Sequence, residues 1–438
     1  MSAPTHPDPV ADEPAEPSRA GLRAPVDPKP TRRLGHIPAF EGMRGIAVSI
    51  VVAAHLNVIL DLPGFIVVPG GVVSLDSFFV LSGFLITSLL LKEQGAKGRI
   101  NLPTFYRRRA LRLLPALLAM LAVHTIYVGV AGLDPGAQLK SVAAATFYVM
   151  NWFLAATAGA LGSTEVTPGL QHIWSLSFEE QFYLVWPFIT ALALTAVRRL
   201  RTVVIVCVVL MVVVGLHRAR LYHSGMNWYP IFIRTDTRFD SFIPGVLLAH
   251  LWYRRKEPTG RFVPVAGWVA LGILLVCLPT AKIEEPFLYY GGITLIDICC
   301  AVVILAIIDG RWAVNRFFQL KWLVRLGTVS YGLYLWHLPV FFAFAHYFVD
   351  TNVLTGDRTY SLSPWIVAPA ALATSFAFTL LSWFVLEKPV LQWKRRLEGR
   401  PSDSLSPDLP TDVTDAVGAE AGRPTSAFSA RGAGTHQG

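Results

Sequence analysis

Ten apolar runs leave this sequence few folds to adopt. They lie near residues 42–60, 71–91, 111–131, 177–197, 202–217, 239–253, 262–279, 290–308, 327–347 and 364–386. Roughly 20 apolar helical residues cross a hydrocarbon layer about 30 Å thick, and lipid offers no partner to backbone groups left unpaired. With 53% hydrophobic and 15% charged residues, the chain is predicted to be an all-α polytopic membrane protein with about ten transmembrane helices.

The placement of lysines and arginines indicates whether an eleventh apolar run crosses the membrane. Val142–Ala156 is short and contains Asn151 and Trp152. If this run does not cross, the dense basic clusters all face the cytoplasm, as membrane proteins prefer. We therefore predict a re-entrant or interfacial segment and two cytoplasmic termini. This topology puts the loop His172–Glu180 and the polar segment Arg234–Asp240 outside.

Composition divides the chain into one membrane domain and two tails. Residues 1–36 and 399–438 are proline-rich and carry no apolar run, so both are predicted to be disordered cytoplasmic tails. We expect neither to hold a second catalytic domain, which leaves 37–398 as the transmembrane domain. The net charge of +9 is attributed to cytoplasmic loops, because no nucleic-acid-binding motif accompanies it. The four cysteines show no metal-binding spacing, and no metal is predicted.

The first apolar run carries two ionisable residues, Arg44 and His55. Their spacing of eleven residues is close to three helical turns, which puts both on one face and roughly 16 Å apart along the axis. Ionisable groups in lipid usually face a bundle interior or a watery cavity. Arg44 could instead snorkel to the inner surface, and His55 could be a hydrogen-bonded structural histidine.

An arginine cluster precedes the third run, in the sequence Phe105–Pro115. On a helix, Arg108, Arg109 and Arg112 are close enough to converge on one multiply anionic group, and guanidinium forks suit phosphates. Positive-inside anchoring or binding of anionic lipid headgroups explains most such clusters, and the cluster taken alone favours that interpretation.

The segment Gln171–Tyr183 combines a histidine, two serines, two carboxylates and four aromatic residues. Aromatic residues alone would indicate an interfacial belt. If the segment is helical, Glu179 and Tyr183 share a face, and Glu179 could polarise an imidazole or hold a sugar hydroxyl. The candidate site residues here are His172, Trp174, Ser177 and Glu179.

Two further polar positions of the sequence each allow two interpretations. Asp236 and Arg238, with the neighbouring Arg234 and Asp240, either neutralise one another or contact substrate. His337 lies in an apolar run beside a proline and is either a packing residue or part of a site.

Taken together, these stretches resemble the acyltransferase 3 family of bacterial integral membrane O-acyltransferases over about Phe40–Pro389. The resemblance rests on the order and number of short motifs. They are Glu41-Gly42-Met43-Arg44-Gly45 followed by His55; Asp76 with Phe78-Phe79-Val80-Leu81-Ser82-Gly83-Phe84-Leu85; Arg109-x-x-Arg112 ending in Pro115; His172-x-Trp174-Ser175-Leu176-Ser177-x-Glu179-x-Gln181-Phe182-Tyr183; Ser330-Tyr331-Gly332-x-Tyr334-x-Trp336-His337; and Glu387-Lys388-Pro389.

The resemblance implies an enzyme of the bacterial cytoplasmic membrane with no bound cofactor. Its donor would be acyl-coenzyme A, usually acetyl, and its acceptor a hydroxyl of a carbohydrate, cell-envelope glycan or glycosylated metabolite. It also implies that Arg44 and His55 are essential and that Arg109 and Arg112 contact the donor phosphates. Ser82 and Tyr331 become supporting site candidates through the motifs that contain them.

A mechanism follows as a hypothesis. The donor enters from the inner face, its thioester arrives near His55, and the neutral imidazole takes the proton of the acceptor hydroxyl. Glu179 orients an imidazole or the acceptor, and a covalent acyl-histidine is an open alternative. The rival class is a transporter or flippase for a glycan or lipid-linked intermediate, since intramembrane charges also mark transport pathways. No internal repeat typical of transporters is visible.

Overall fold

The computed structural model describes residues 37–60, 70–157, 166–196, 199–254, 260–351 and 358–397. The predicted disordered tails, 1–36 and 399–438, lie outside the described residues. The described chain is almost entirely helical, so the predicted all-α class is confirmed. Its two short strands, β1 (Val349–Thr351) and β2 (Arg358–Tyr360), pair antiparallel with Val349 opposite Tyr360.

The α-helices in chain order define the bundle. They are α1 (Pro38–Leu60), α2 (Gly71–Lys97), α3 (Leu102–Val130), α4 (Pro135–Thr146), α5 (Met150–Ala156), α6 (Ile173–Ala196), α7 (Leu200–His223), α8 (Trp228–Ile233), α9 (Thr235–Arg238), α10 (Ile243–Arg254), α11 (Val263–Thr280), α12 (Ile293–Asp309), α13 (Asn315–Phe318), α14 (Lys321–Thr328), α15 (Ser330–Phe348), α16 (Pro364–Ser382) and α17 (Lys388–Leu397). A 3-10 helix, Phe239–Phe242, precedes α10, and π-helical turns Leu288–Gly292 and Trp383–Glu387 precede α12 and α17.

The number of membrane spans differs from the predicted ten. Within the described residues, seven helices are long and apolar enough to cross, or eight if α14 and α15, which meet at a 68° bend, form one broken span. The run 239–253 contributes α10, whose 12 residues extend about 18 Å and fall short of the membrane thickness. Helix α6 has 24 residues but is not among these seven, and its first half carries Glu179, Glu180 and Gln181.

The run 142–156 does not form a continuous span, as predicted. It is divided between α4 and α5, and Tyr148 at the break has a positive φ of 54°, a conformation that is rare for a residue with a side chain. The two helices have 12 and 7 residues, or about 18 and 10 Å, and neither reaches across about 30 Å.

Two glycines fix how α1 packs against α13 and α14. A Cβ atom at Gly42 would lie 1.7 Å from the carbonyl oxygen of Phe318, and one at Gly45 would lie 2.5 Å from that of Leu323. Neither position tolerates a side chain without moving backbone. The glycines on both sides of Arg44 therefore let α13 and α14 pack directly on α1, and they set the height of this arginine in the bundle.

The segment His172–Glu180 is not the external loop that was predicted. Helix α6 begins at Ile173, four residues before the predicted span, and side chains from Gln171 to Phe178 are buried. Packing of an aromatic face explains the early start, because Phe178 contacts the rings of Phe79 and Phe242 at centroid distances of 4.9 and 4.8 Å. Residues predicted to lie in a loop are thus held rigidly on a helix inside the bundle.

Candidate active site

A cavity of about 640 Å³ runs through the bundle between α1, α2, α3, α6 and α15. Near the C-terminal end of α2 and the start of α3 it is lined by Lys92, Lys97 and Arg108, and its other end reaches Ser175 and Tyr334. Apolar residues cover the wall between these two ends, among them Leu81, Leu85, Ile86, Leu89 and Leu113. The cavity therefore offers cationic groups at one end, an apolar middle and hydroxyl groups at the other end.

Four arginines line this cavity: Arg44, Arg108, Arg109 and Arg112. All three arginines of the predicted phosphate-binding cluster are thus brought to one wall. Arg109, however, is engaged by Glu180, because its Nη2 lies 2.6 Å and its Nε 3.0 Å from the carboxylate oxygens. Its guanidinium carbon also lies 3.1 Å from the centroid of the Tyr183 ring. Arg109 is therefore held in place by this pair and stacking contact.

The pair between Arg109 and Glu180 joins two residues that the predicted topology placed on opposite sides of the membrane. Both helices begin earlier than predicted: α3 begins at Leu102, where the predicted run began at 111, and α6 begins at Ile173, where the predicted run began at 177. The Tyr106 hydroxyl donates to the Leu184 carbonyl at 2.6 Å, a second contact at the same level. The arginine cluster and the acidic residues of α6 thus form one wall.

Glu179 is the centre of a compact hydroxyl cluster on the cavity wall. Its Oε1 accepts hydrogen bonds from the Ser82 hydroxyl and from the Tyr183 hydroxyl, and the two hydroxyl oxygens also contact each other. All three residues line the cavity. The predicted shared face of Glu179 and Tyr183 is confirmed, and this carboxylate contacts hydroxyl groups where an imidazole was the predicted alternative.

Two hydroxyl groups lie at the end of the cavity away from the basic residues. The Tyr334 hydroxyl donates to the His172 carbonyl at 2.8 Å, and the Ser175 hydroxyl also points to this carbonyl, at 3.2 Å. The Ser175 and Tyr334 hydroxyl oxygens also contact each other, and with one proton each they satisfy two of these three contacts at a time. The side chain of His172 is buried, with its ring centroid 5.2 Å from that of Tyr334.

His55 pairs with His337 just beyond this end of the cavity. The two residues are 282 positions apart, and Nδ1 of His55 lies 3.1 Å from Nε2 of His337. Nδ1 of His337 in turn lies 3.1 Å from the Leu333 carbonyl oxygen one turn earlier. The centroid of the His172 ring is 5.2 Å from that of His337. Three predicted site histidines, from α1, α15 and the turn before α6, thus form one group.

The histidine group and the cavity are separated by one layer of side chains. The described residues that line the cavity include neither His55 nor His337. The Tyr334 ring, which does line it, lies 5.5 Å from the His337 ring, and the His337 ring lies 5.1 Å from the His55 ring. His337 is wholly buried, whereas His55 is partly exposed. The predicted donor path therefore reaches Tyr334 and stops one side chain short of His55.

Arg44 and Tyr331 lie on the cavity wall with local partners. Arg44 Nη1 is 3.2 Å from a carboxylate oxygen of Glu41, which is buried and lines the same cavity. The Tyr331 hydroxyl donates to the Leu113 carbonyl at 2.9 Å. The Tyr331 contact attaches α15 to the wall formed by α3, whereas the pair of Arg44 and Glu41 lies within α1.

The remaining predicted site residues lie away from the cavity. Trp174 packs against Phe232 with a centroid distance of 5.4 Å, and the Ser177 hydroxyl accepts from the Met150 backbone N–H at 3.3 Å. Asp236 pairs with Arg234 at 2.6 Å. In the described part of the chain, none of these residues lines the cavity.

Arg238 belongs to a buried charge network between α2, α7, the 3-10 helix and α12. It pairs with Asp76, and Arg218 pairs with Asp240 at 2.9 Å; all four side chains are fully buried. The mutual neutralisation predicted for this stretch occurs between Arg234 and Asp236, whereas Arg238 and Asp240 pair with residues of α2 and α7. The carboxylate of Asp297, also buried, has no hydrogen-bond partner among the described residues.

Three residues of the site were given no role from the sequence: Ser175, Glu180 and Tyr334. Tyr334 lies three residues before His337 and therefore on the same helical face, which is a signal that could have identified it. Among the described residues, no group of three or more His, Cys, Asp or Glu side chains is arranged to hold a metal ion. All four cysteines are buried and free.

Comparison with known proteins agrees with the sequence motifs. The peptidoglycan O-acetyltransferase OatA of Listeria monocytogenes is 33% identical over 315 residues, which is 70% of this chain and 49% of the relative. A candidate O-acetyltransferase of Staphylococcus aureus is 33% identical over 386 residues, covering 85% and 60%. A candidate peptidoglycan O-acetyltransferase of Bacillus subtilis is 30% identical over 319 residues, covering 71% and 49%.

This chain spans about half to three-fifths of the length of these curated relatives. No solved structure matches it. The profile of the acyltransferase 3 family, described as an acyltransferase domain, matches residues 37–384, which covers the cavity, the arginine wall and the three histidines. The chain therefore belongs to the acyltransferase 3 family of multi-pass bacterial membrane acyltransferases.

Proposed function

We propose that this protein transfers an acetyl group from acetyl-coenzyme A to a hydroxyl of a cell-envelope glycan, with peptidoglycan as the acceptor class. The names of two relatives, OatA of Listeria and the Bacillus protein, suggest the acceptor class. The observation that carries the proposal is one cavity with cationic side chains at one end and a paired imidazole one residue layer beyond the other.

The cavity has the features that a coenzyme A thioester needs. Its phosphates would meet Lys92, Arg108 and Arg112 at the basic end, because guanidinium and ammonium groups bind phosphate with charge-assisted hydrogen bonds. The pantetheine arm would lie along the apolar middle. A volume of about 640 Å³ is in the range of pockets that bury most of a small ligand.

The Ser175 and Tyr334 hydroxyl groups are the proposed gate between donor and base. Both now contact the His172 carbonyl, and both lie where the thioester would end. Rotation of Tyr334 away from this carbonyl would open the layer and leave its O–H as a donor. A donor aimed at the thioester carbonyl stabilises the negative charge that develops when an alcohol attacks.

His55 is the proposed general base, because it is the partly exposed member of the histidine pair. It takes the proton of the acceptor hydroxyl as the oxygen attacks the thioester carbon, and the carbon–sulfur bond breaks. The proton then passes to the departing thiolate, which leaves as free coenzyme A. General base catalysis of this kind typically contributes 10² to 10⁴ in rate. Glu179 has a supporting role, since it orients Ser82 and Tyr183 on the cavity wall.

The experiment is acetyl transfer by the purified protein in proteoliposomes, with radiolabelled acetyl-CoA and peptidoglycan fragments. We expect His55→Ala to lower kcat by about 10²-fold or more. The matched control is His250→Ala, since His250 is buried in α10 and does not line the described cavity. Arg112→Ala should raise KM for acetyl-CoA and leave KM for the glycan unchanged. Full turnover by His55→Ala, or glycan acetylation without consumption of acetyl-CoA, would refute the proposal.

A further inference from the structure

We infer that His337 is a positioning residue that fixes the tautomer of His55 and makes Nε2 of His55 the basic nitrogen. The inference rests on the proposed function for its catalytic meaning, but the hydrogen-bond pattern stands by itself. It assigns the proton on each ring of the pair and predicts which edge of His55 faces the acceptor.

The hydrogen-bond pattern starts at a backbone carbonyl oxygen, which can only accept a hydrogen bond. The Leu333 carbonyl oxygen lies 3.1 Å from Nδ1 of His337, and a hydrogen bond to a carbonyl requires an N–H. Nδ1 of His337 is therefore protonated. In a neutral imidazole the other nitrogen then carries a lone pair, so Nε2 of His337 is an acceptor.

The next contact fixes His55. Its Nδ1 lies 3.1 Å from Nε2 of His337, and two lone pairs cannot form a hydrogen bond. Nδ1 of His55 must therefore carry the proton, and its N–H is directed to His337 and to the Val51 backbone carbonyl one turn earlier. The consequence is that Nε2 of neutral His55 holds the lone pair. This nitrogen lies on the ring edge away from His337 and is the one able to accept a proton from an alcohol.

The surroundings of His337 suit a residue that holds another in place. It is fully buried, and its ring is packed by Tyr334 at 5.5 Å and Phe341 at 5.7 Å between centroids. Rings packed in this way cannot turn freely. When His55 becomes charged during the reaction, its Nδ1–H bond to His337 becomes charge-assisted and therefore stronger. His337 thus both orients the base and stabilises its protonated form, without contacting substrate.

The direct test is a nitrogen-15 spectrum of the protein labelled at histidine, in bilayers. His55→Gln identifies the His55 signals by their loss. We expect Nδ1 of His55 to be protonated and Nε2 to show the shift of an unprotonated imidazole nitrogen. Protonated Nε2 with unprotonated Nδ1 would overturn the inference. The spectrum does not depend on turnover, so this tautomer can be established or refuted even if His55→Ala retains activity and the proposed function fails.

Kinetics then separates positioning from packing. His337→Leu removes the acceptor, and we expect kcat to fall about 10- to 100-fold, as when other orienting partners of functional imidazoles are removed, with both KM values nearly unchanged. His337→Gln retains an acceptor oxygen and should recover part of the loss. Phe341→Leu, which contacts the same ring, is the packing control and should retain kcat. Equal losses in His337→Gln and His337→Leu, or full activity in His337→Leu, would overturn the positioning role.

Discussion

The contact between α1 and α13 gives a sharp test of the packing beside Arg44. In Gly42→Ala the added methyl carbon would lie 1.7 Å from the Phe318 carbonyl oxygen, whereas ordinary contacts begin at 3.4 Å. The backbones must therefore separate locally by about 1.7 Å. Such overpacking costs about 1–3 kcal/mol, and the higher helix propensity of alanine offsets about 0.5–1 kcal/mol of this. We expect a net loss of about 1–2 kcal/mol in unfolding free energy.

The same displacement should reach the active site. Arg44 is two residues from Gly42 and lines the cavity, and a misplacement of about 1 Å can cost about 10²-fold in rate. We therefore expect kcat/KM for the acetyl donor to fall about 10- to 100-fold.

Unfolding free energy is measured by denaturant titration in mixed micelles, and activity by the proteoliposome assay. Gly272→Ala in α11 is the matched control, because no described heavy atom lies within 4 Å of the added carbon. It should leave activity unchanged and stability equal or slightly higher. If Gly42→Ala were as stable and as active as Gly272→Ala, the close packing of α13 on α1 would be wrong.

Two further predictions concern buried charges. Arg109→Ala should lower the unfolding free energy by about 1–3 kcal/mol, because it removes the paired arginine from Glu180, a partly buried carboxylate. The double variant with Glu180→Ala should be less damaged than the sum of the two single variants; additive losses in the titration would contradict the pair. Asp297→Asn should be tolerated or stabilising, since this carboxylate has no described hydrogen-bond partner. Asp240→Asn removes a charge paired with Arg218 at 2.9 Å and should lower the unfolding free energy by about 3–5 kcal/mol. Equal denaturation midpoints for the two variants would refute this difference.

Hydropathy was sufficient to predict the class of the fold, because each apolar run must be helical in lipid. It was less reliable for helix boundaries. Helix α6 begins inside the bundle at Ile173, and the buried aromatic contacts of Phe178 that allow this are between residues distant in sequence. The count of ten spans is not confirmed, since seven or eight of the described helices are long and apolar enough to cross. The run 239–253 is divided between a 3-10 helix and α10, and an apolar run does not reveal how a helix is broken.

The sequence predicted the individual residues of the site more successfully than the contacts between them. Arg44, Arg112 and Glu179 line one cavity, as their residue types suggested. The pairing of His55 with His337 could not be predicted, because helical spacing relates only residues on the same helix. The same limit explains Glu180, which was seen as a carboxylate near a membrane entry but proved to be the partner of an arginine on α3.

The most direct measurement is a cryo-electron-microscopy structure of the protein in lipid nanodiscs with coenzyme A bound. We expect the phosphates beside Lys92, Arg108 and Arg112, the pantetheine along the apolar wall, and the thiol at the Ser175–Tyr334 end, with Tyr334 turned aside and the sulfur facing His55. Coenzyme A bound outside this cavity, or with its thiol directed away from a histidine pair still covered by Tyr334, would contradict the mechanism.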